Sequence, residues 1–129
     1  MYAGLHLMSF FKANSTCGGS DLNFKVMHQN IRSVGNKIGQ LECVLYEKNV
    51  NVICLTEHWL SHDKMDALNV QGYTISSAYG RQTKAGGGVC ILSRQTDSVG
   101  IYENVKFKKY NEELHFEAAA VTVSKLDLL

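Results

Sequence analysis

The chain has 129 residues, 45% of them hydrophobic and 19% charged. That is the size and mix of one ordinary globular domain, and it excludes wholesale disorder. The formal charge is only +1, with six basic and five acidic side chains in residues 1–64 and seven of each in 65–129. Binding to nucleic acid through bulk charge is therefore excluded, whereas a local phosphate site is not.

Residues 1–22 read as a leader. The opening MYAGLHLMSFF lacks a basic n-region and Lys12 closes it early, so it does not read as a secretory signal. Asn14-Ser15-Thr16 is a glycosylation sequon only in a secreted chain and reads as a chance tripeptide. From Phe24, FKVMHQN alternates and predicts a strand. Ser33 then suits a helix cap. Ile38, Leu41 and Leu45, with Val34 before and Val44 beside them, follow at helical spacing to about Lys48. Asn49 and Asn51 suit a turn, and NVICLT is the short β-branched run of a strand buried on both faces.

Strand, helix and strand in under 40 residues predict a right-handed parallel crossover. Asn30 and Glu57 then fall at the carboxyl ends of neighbouring strands about 4.8 Å apart, on the edge where α/β sheets bind ligands. Each alone suits a turn former or a solvated strand-end acid. Together they offer an amide oxygen and a carboxylate, hard donors suited to Mg²⁺, which keeps most of its waters.

Farther along, SHDKMDALN reads as a short helix or loop, and GYTISSAY, GGVCIL, VGIYENVKF and HFEAAAVTVS read as four strands. His58 and His62 are four apart, but no HExxH and no third ligand accompany them, so both are expected in solvent. Gly86-Gly87-Gly88 leads into a strand rather than a helix and predicts a tight hairpin turn, not a phosphate loop. Lys106, Lys108 and Lys109 are followed by Glu112, Glu113 and Glu117, which predicts a solvated mixed-charge surface. Cys17, Cys43, Cys54 and Cys90 contain no CxxC pair. The last three lie in apolar runs and are expected to be buried free thiols, which favours an intracellular setting, nuclear or cytoplasmic. No run reaches the ~18 apolar residues of a membrane span, so no membrane partner is expected.

Four segments in order resemble the endonuclease/exonuclease/phosphatase superfamily, and within it the endonuclease domain of jockey-like non-LTR retrotransposons. They are HQNIRS (28–33), LTEHWLS (55–61), Gly72-Tyr73 and AGGGVCIL (85–92). The resemblance covers about Phe24 to Leu129 and implies an α/β fold, a four-layer α/β/β/α sandwich of the DNase-I-like type. It implies Mg²⁺-dependent phosphodiester cleavage with DNA as partner. Glu57 matches the metal-binding glutamate and Asn30 the asparagine near metal and phosphate, while Arg32 follows that asparagine in the Asn-Ile-Arg pattern and is expected to have a weak role toward phosphate. His58 stands where that pattern has Thr, at a position that is not a ligand. The Tyr-Arg-Pro-Pro-like, Gly-Asp-Asx-Asn and Ser-Asp-His motifs of the pattern do not occur in these 129 residues. Residues 23–129 are therefore expected to form the N-terminal half of such a domain, truncated and inactive alone, or else a non-catalytic remnant serving as a binding module or pseudogene product. Inward residues such as Val89, Ile91, Phe116, Ala118 and Val121 are expected to lack part of their covering sheet, with marginal stability and self-association as the consequence.

Overall fold

A computed structural model describes residues 9–13, 24–95 and 99–125. The sequon and Cys17 lie outside the described residues. The chain is a mixed α/β structure with two sheets and one α-helix among the described residues: β1 (Ser9–Ala13), β2 (Phe24–Asn30), α1 (Ile38–Lys48), β3 (Val52–Thr56), β4 (Thr74–Tyr79), β5 (Val89–Ser93), β6 (Val99–Glu103) and β7 (Val121–Lys125). Two 3₁₀ turns, His62–Ala67 and Val105–Tyr110, complete it. Among the described residues no helix is long and apolar enough to cross a membrane.

Strands β1 to β5 form one sheet in the order β1-β2-β3-β5-β4; β6 and β7 form a two-stranded second sheet. The expected parallel pairing is present: β2 and β3 are parallel, with Asn30 opposite Thr56 and α1 between them in the chain. The stretch expected as a leader contains β1, which pairs antiparallel with β2.

Strand alternation divides the core in two. Met27, Ile53, Leu55, Cys90 and Leu92 face α1 and join its Leu41 and Leu45, all nearly or fully buried. Phe24, Val52 and Ile91 point the other way and meet Val99 of β6, with Ile101 and Val121 partly buried against them. At about 25 cal/mol per Å² of apolar surface, burial of both clusters supplies most of the fold's stability.

Helix α1 ends as expected. Asn49 adopts a left-handed conformation (φ 52°), and the N–H groups of Asn49 and Val50 return to the carbonyls of Tyr46 and Leu45. Its start differs. Ser33 does not cap it, because Ser33 itself is left-handed (φ 73°) and its N–H donates to the Glu57 carbonyl instead. The helix begins five residues later, and Lys37 Nζ reaches back to the Ile31 and Arg32 carbonyls.

The predicted strands over 99–107 and 115–124 are each cut short. Asn104 accepts a hydrogen bond from the Lys106 N–H and diverts the chain into a 3₁₀ turn. Asn111 exchanges two side-chain hydrogen bonds with the Ala118 backbone, occupying groups that a strand partner would use. Of the residues expected to point inward, Ile91 is buried, but Phe116 is 47% exposed because it lies in the turn paired with Glu112. The expected tight hairpin at Gly86–Gly88 is instead a nine-residue connection between Tyr79 and Val89, and the glycines form its returning limb.

Candidate functional site

The carboxyl ends of β2 and β3 lie side by side, and both chains turn sharply there. Asn30 ends β2, exposed; Arg32, also exposed, lies on the turn after it; half-buried Glu57 follows Thr56 at the end of β3. Thus Asn30, Arg32 and Glu57 share one sheet edge. Three backbone bonds fasten the two turns together: Ile31 N–H to Thr56 O, Ser33 N–H to Glu57 O and Val34 N–H to His58 O, at 2.8–3.1 Å.

Six described non-glycine residues have positive φ, and four of them are here: Arg32, Ser33, Glu57 and Trp59. Such conformations cost of order 1–3 kcal/mol each and persist only where the surroundings over-determine them. The surroundings are the glycine limb. Glu57 N–H donates to Gly88 O and Trp59 N–H to Gly87 O, both 2.9 Å. This β-like pairing holds the Glu57 carboxylate at the rim. Its Oε2 accepts the Trp59 indole N–H at 2.9 Å.

The glycines are required by close approach. A Cβ on Gly88 would sit 2.3 Å from Cε1 of His58, and one on Gly87 would sit 2.2 Å from the Arg81 guanidinium. His58 is not in solvent as its spacing from His62 had suggested; it is 0% exposed. Its Nδ1 accepts the Leu60 N–H, so the proton resides on Nε2, which donates to Tyr79 O, both at 2.9 Å. Burial lowers its pKa, more than the backbone hydrogen bonds and nearby carboxylates raise it. A neutral imidazole therefore pins the Glu57 loop to β4. His62 is exposed as expected.

Two further residues of the edge had no local signal. Arg81 Nε donates to Glu117 Oε1, and Arg81 Nη1 to Ala85 O at 2.8 Å. Glu117 also accepts the Gly88 N–H at 2.8 Å and the Leu114 N–H at 3.2 Å. Burial pushes its carboxyl up, but these hydrogen bonds outweigh that and hold it below the ordinary carboxylate value. Glu113 fastens the same loop, accepting the Gln82 and Thr83 N–H groups. The acids expected as a solvated surface thus include two that brace the β4–β5 connection.

No family model, no curated protein and no solved structure matches this chain.

As to metals, no group of three or more His, Cys, Asp or Glu side chains able to hold an ion occurs among the described residues. The donors at the edge are one carboxylate and one amide. Their hard oxygen chemistry fits a mostly hydrated Mg²⁺, a cation that commonly takes one or two protein ligands. It does not fit a closed all-protein cage. Of the thiols, Cys43 is exposed rather than buried, Cys54 is half-buried and Cys90 is buried. Cys43 is exposed because it lies off the Leu41–Leu45 stripe of α1.

Proposed function

We propose that this chain carries the glutamate half of a Mg²⁺-dependent phosphodiesterase site acting on DNA, of the kind its sequence resembles, on what would be part of a four-layer DNase-I-like sandwich. The observation that supports this reading best is the concentration of left-handed residues around Glu57, braced by Gly87 and Gly88, at the carboxyl edge that Asn30 and Arg32 share. Glu57 would hold the hydrated cation, with Asn30 beside it. Arg32, whose planar guanidinium suits bidentate contact with phosphate oxygens, would meet a phosphate. When bound, the metal supplies charge stabilisation to the phosphoryl oxygens and lowers the pKa of a water. Phosphodiester hydrolysis also needs a base and a group for the leaving oxygen, and these 129 residues lack the motifs that provide them in the family pattern. The chain alone is therefore expected to bind Mg²⁺ weakly and to leave supercoiled plasmid intact. Self-association through the partly covered sheet face is the companion expectation.

The test uses Trp59, the chain's single tryptophan, whose indole touches the Glu57 carboxylate. Mn²⁺, a paramagnetic stand-in for Mg²⁺, should quench its emission with a millimolar midpoint, and Glu57→Gln should abolish the response. An identical response in the Glu57→Gln protein would sink the metal assignment and leave a binding module. Robust plasmid nicking by the purified chain would overturn the statement that it is inactive alone.

A further inference from the structure

A cavity of about 320 Å³ is lined by Trp59, Ser61, Lys64, Arg81, Lys84 and Gly86 among others. It is near the small end of the range for small-molecule sites. Its walls differ in kind. The indole is 51% exposed, yet its nitrogen end is fixed to Glu57, so it presents a flat apolar surface in a held orientation. Arg81 is fixed as well, through Glu117 and the Ala85 carbonyl, and Glu117 balances its charge. Lys64 and Lys84 are exposed, and among the described residues neither forms an ion pair. The cavity is therefore an aromatic platform flanked by two exposed ammonium groups outside any direct ion pair, one of them beside the Asp63 carboxylate, and a rigid guanidinium wall.

A planar ring with an attached anion matches that combination. We propose that the cavity binds one nucleotide of a single-stranded nucleic acid, its base stacked on the Trp59 indole and its phosphates met by Lys64 and Lys84. Stacking on a tryptophan needs a base with a free face, which a single strand offers and an intact duplex does not. The lysines act as point charges on phosphate and read no sequence, so the pocket accepts any base with a preference for strong stackers. The inference rests on the phosphodiesterase reading for its polymer: a nucleotide in this pocket brings the adjoining backbone toward Glu57, which Trp59 touches. It requires no metal.

The experiment is a titration of the whole chain with short oligothymidylate in EDTA, followed by Trp59 emission. Saturable quenching is expected, with a midpoint that weakens as salt is raised. The double substitution Lys64→Glu, Lys84→Glu, on two exposed side chains, should weaken binding about tenfold or more with an unchanged circular dichroism spectrum. Trp59→Ala, followed by anisotropy of a labelled oligonucleotide, should weaken it roughly 5- to 150-fold, the equivalent of 1–3 kcal/mol per stacked base. Trp59→Phe should retain most of the affinity. Absence of saturable quenching overturns the proposal. So does binding that ignores the lysine substitutions. Displacement by inorganic pyrophosphate with no change in emission would reduce the pocket to an anion site and overturn the stacked base. Because EDTA excludes metal, a null result here leaves the Glu57 assignment standing, and loss of the Mn²⁺ response leaves this one standing.

Discussion

On the α1 side of the large sheet, Ile53 and Leu55 of β3 are 0% exposed, and Cys90 and Leu92 of β5 are 1% exposed. One residue along the same strands, on the other side, Cys54 and Val89 are only half-buried, as is Val26 of β2. Both faces carry apolar residues, although the ribbon side of β3 and β5 also carries Thr56 and Ser93, and the cover differs as well. Helix α1 lays Leu41 and Leu45 over one face. The β6–β7 ribbon lays Val99 over the other and reaches it with Ile101 and Val121. At about 4.8 Å per strand, two strands span less than half the width of five. A cavity of about 420 Å³, lined by Ser76, Ser93, Tyr102, Glu103 and others, remains between β4–β5 and β6. Past β6 the chain carries Val105, Phe107, Tyr110, Leu114 and Phe116 on the surface, all at least 45% exposed. The lesson is that alternation makes a strand buriable on both faces, while the length and placement of distant elements decide whether burial happens.

Thiol chemistry gives the largest expected contrast between the two faces. Burial raises the Cys54 thiol, and burial with the nearby Cys54 pushes Cys90 up to about 12. Alkylation mapped by mass spectrometry should therefore label Cys43 first, Cys54 next and Cys90 last. Cys90 should trail Cys43 by roughly a thousandfold or more, because it must wait for unfolding. Equal rates at Cys54 and Cys90 would show that the ribbon covers its face as well as α1 covers the other.

Core truncation is the second contrast. Leu45→Ala, at a fully buried site under α1, should cost about 2–5 kcal/mol. Ile101→Ala, at a half-buried site under the ribbon, should cost roughly 1–2 kcal/mol because less area is lost from burial. Urea midpoints measure both. An Ile101→Ala loss as large as that of Leu45→Ala would break the comparison.

The smallest effect is a pH dependence. The folded pKa of His58 lies below its ordinary value, so the unfolded chain binds more protons between the two values. Stability then rises with pH through that window and falls as pH drops below about 6.5. Glu117, whose carboxyl is held below its ordinary value, adds a second loss as pH falls below about 4.5. Melting curves should lose the upper step in His58→Gln and keep the lower one. An upper step that survives in His58→Gln would assign it to another group and remove the neutral imidazole from the account.

How legible this was depended on where each residue's partner lay in the chain. The ends of β2, the body and C-terminus of α1, β3 and the shared edge of Asn30 and Glu57 follow from patterns within a few residues. Ser33 misled because a good capping side chain lost to a backbone bond with Glu57, a residue on another strand. His58 misled because its partners, Leu60, Tyr79 and Gly88, include two that lie more than twenty residues away. Glu117 sits in an apparently ordinary run of surface acids, and only its bond to Arg81, 36 residues earlier, marks it. The glycine triplet was the one available hint, since three consecutive glycines imply close approach of something; the sequence does not say what.

The sequence by itself therefore determined the periodic elements, the parallel crossover and the edge at which Glu57 emerges, because alternation, helical spacing and the crossover rule act on neighbouring residues. Tertiary structure alone decided the left-handed turn at Glu57 and Trp59, the buried neutral His58, the Arg81–Glu117 brace and the unequal cover of the two sheet faces. Each of these depends on the free energy of contact between segments far apart in the chain. That quantity is set by the folded geometry, and no local pattern encodes it.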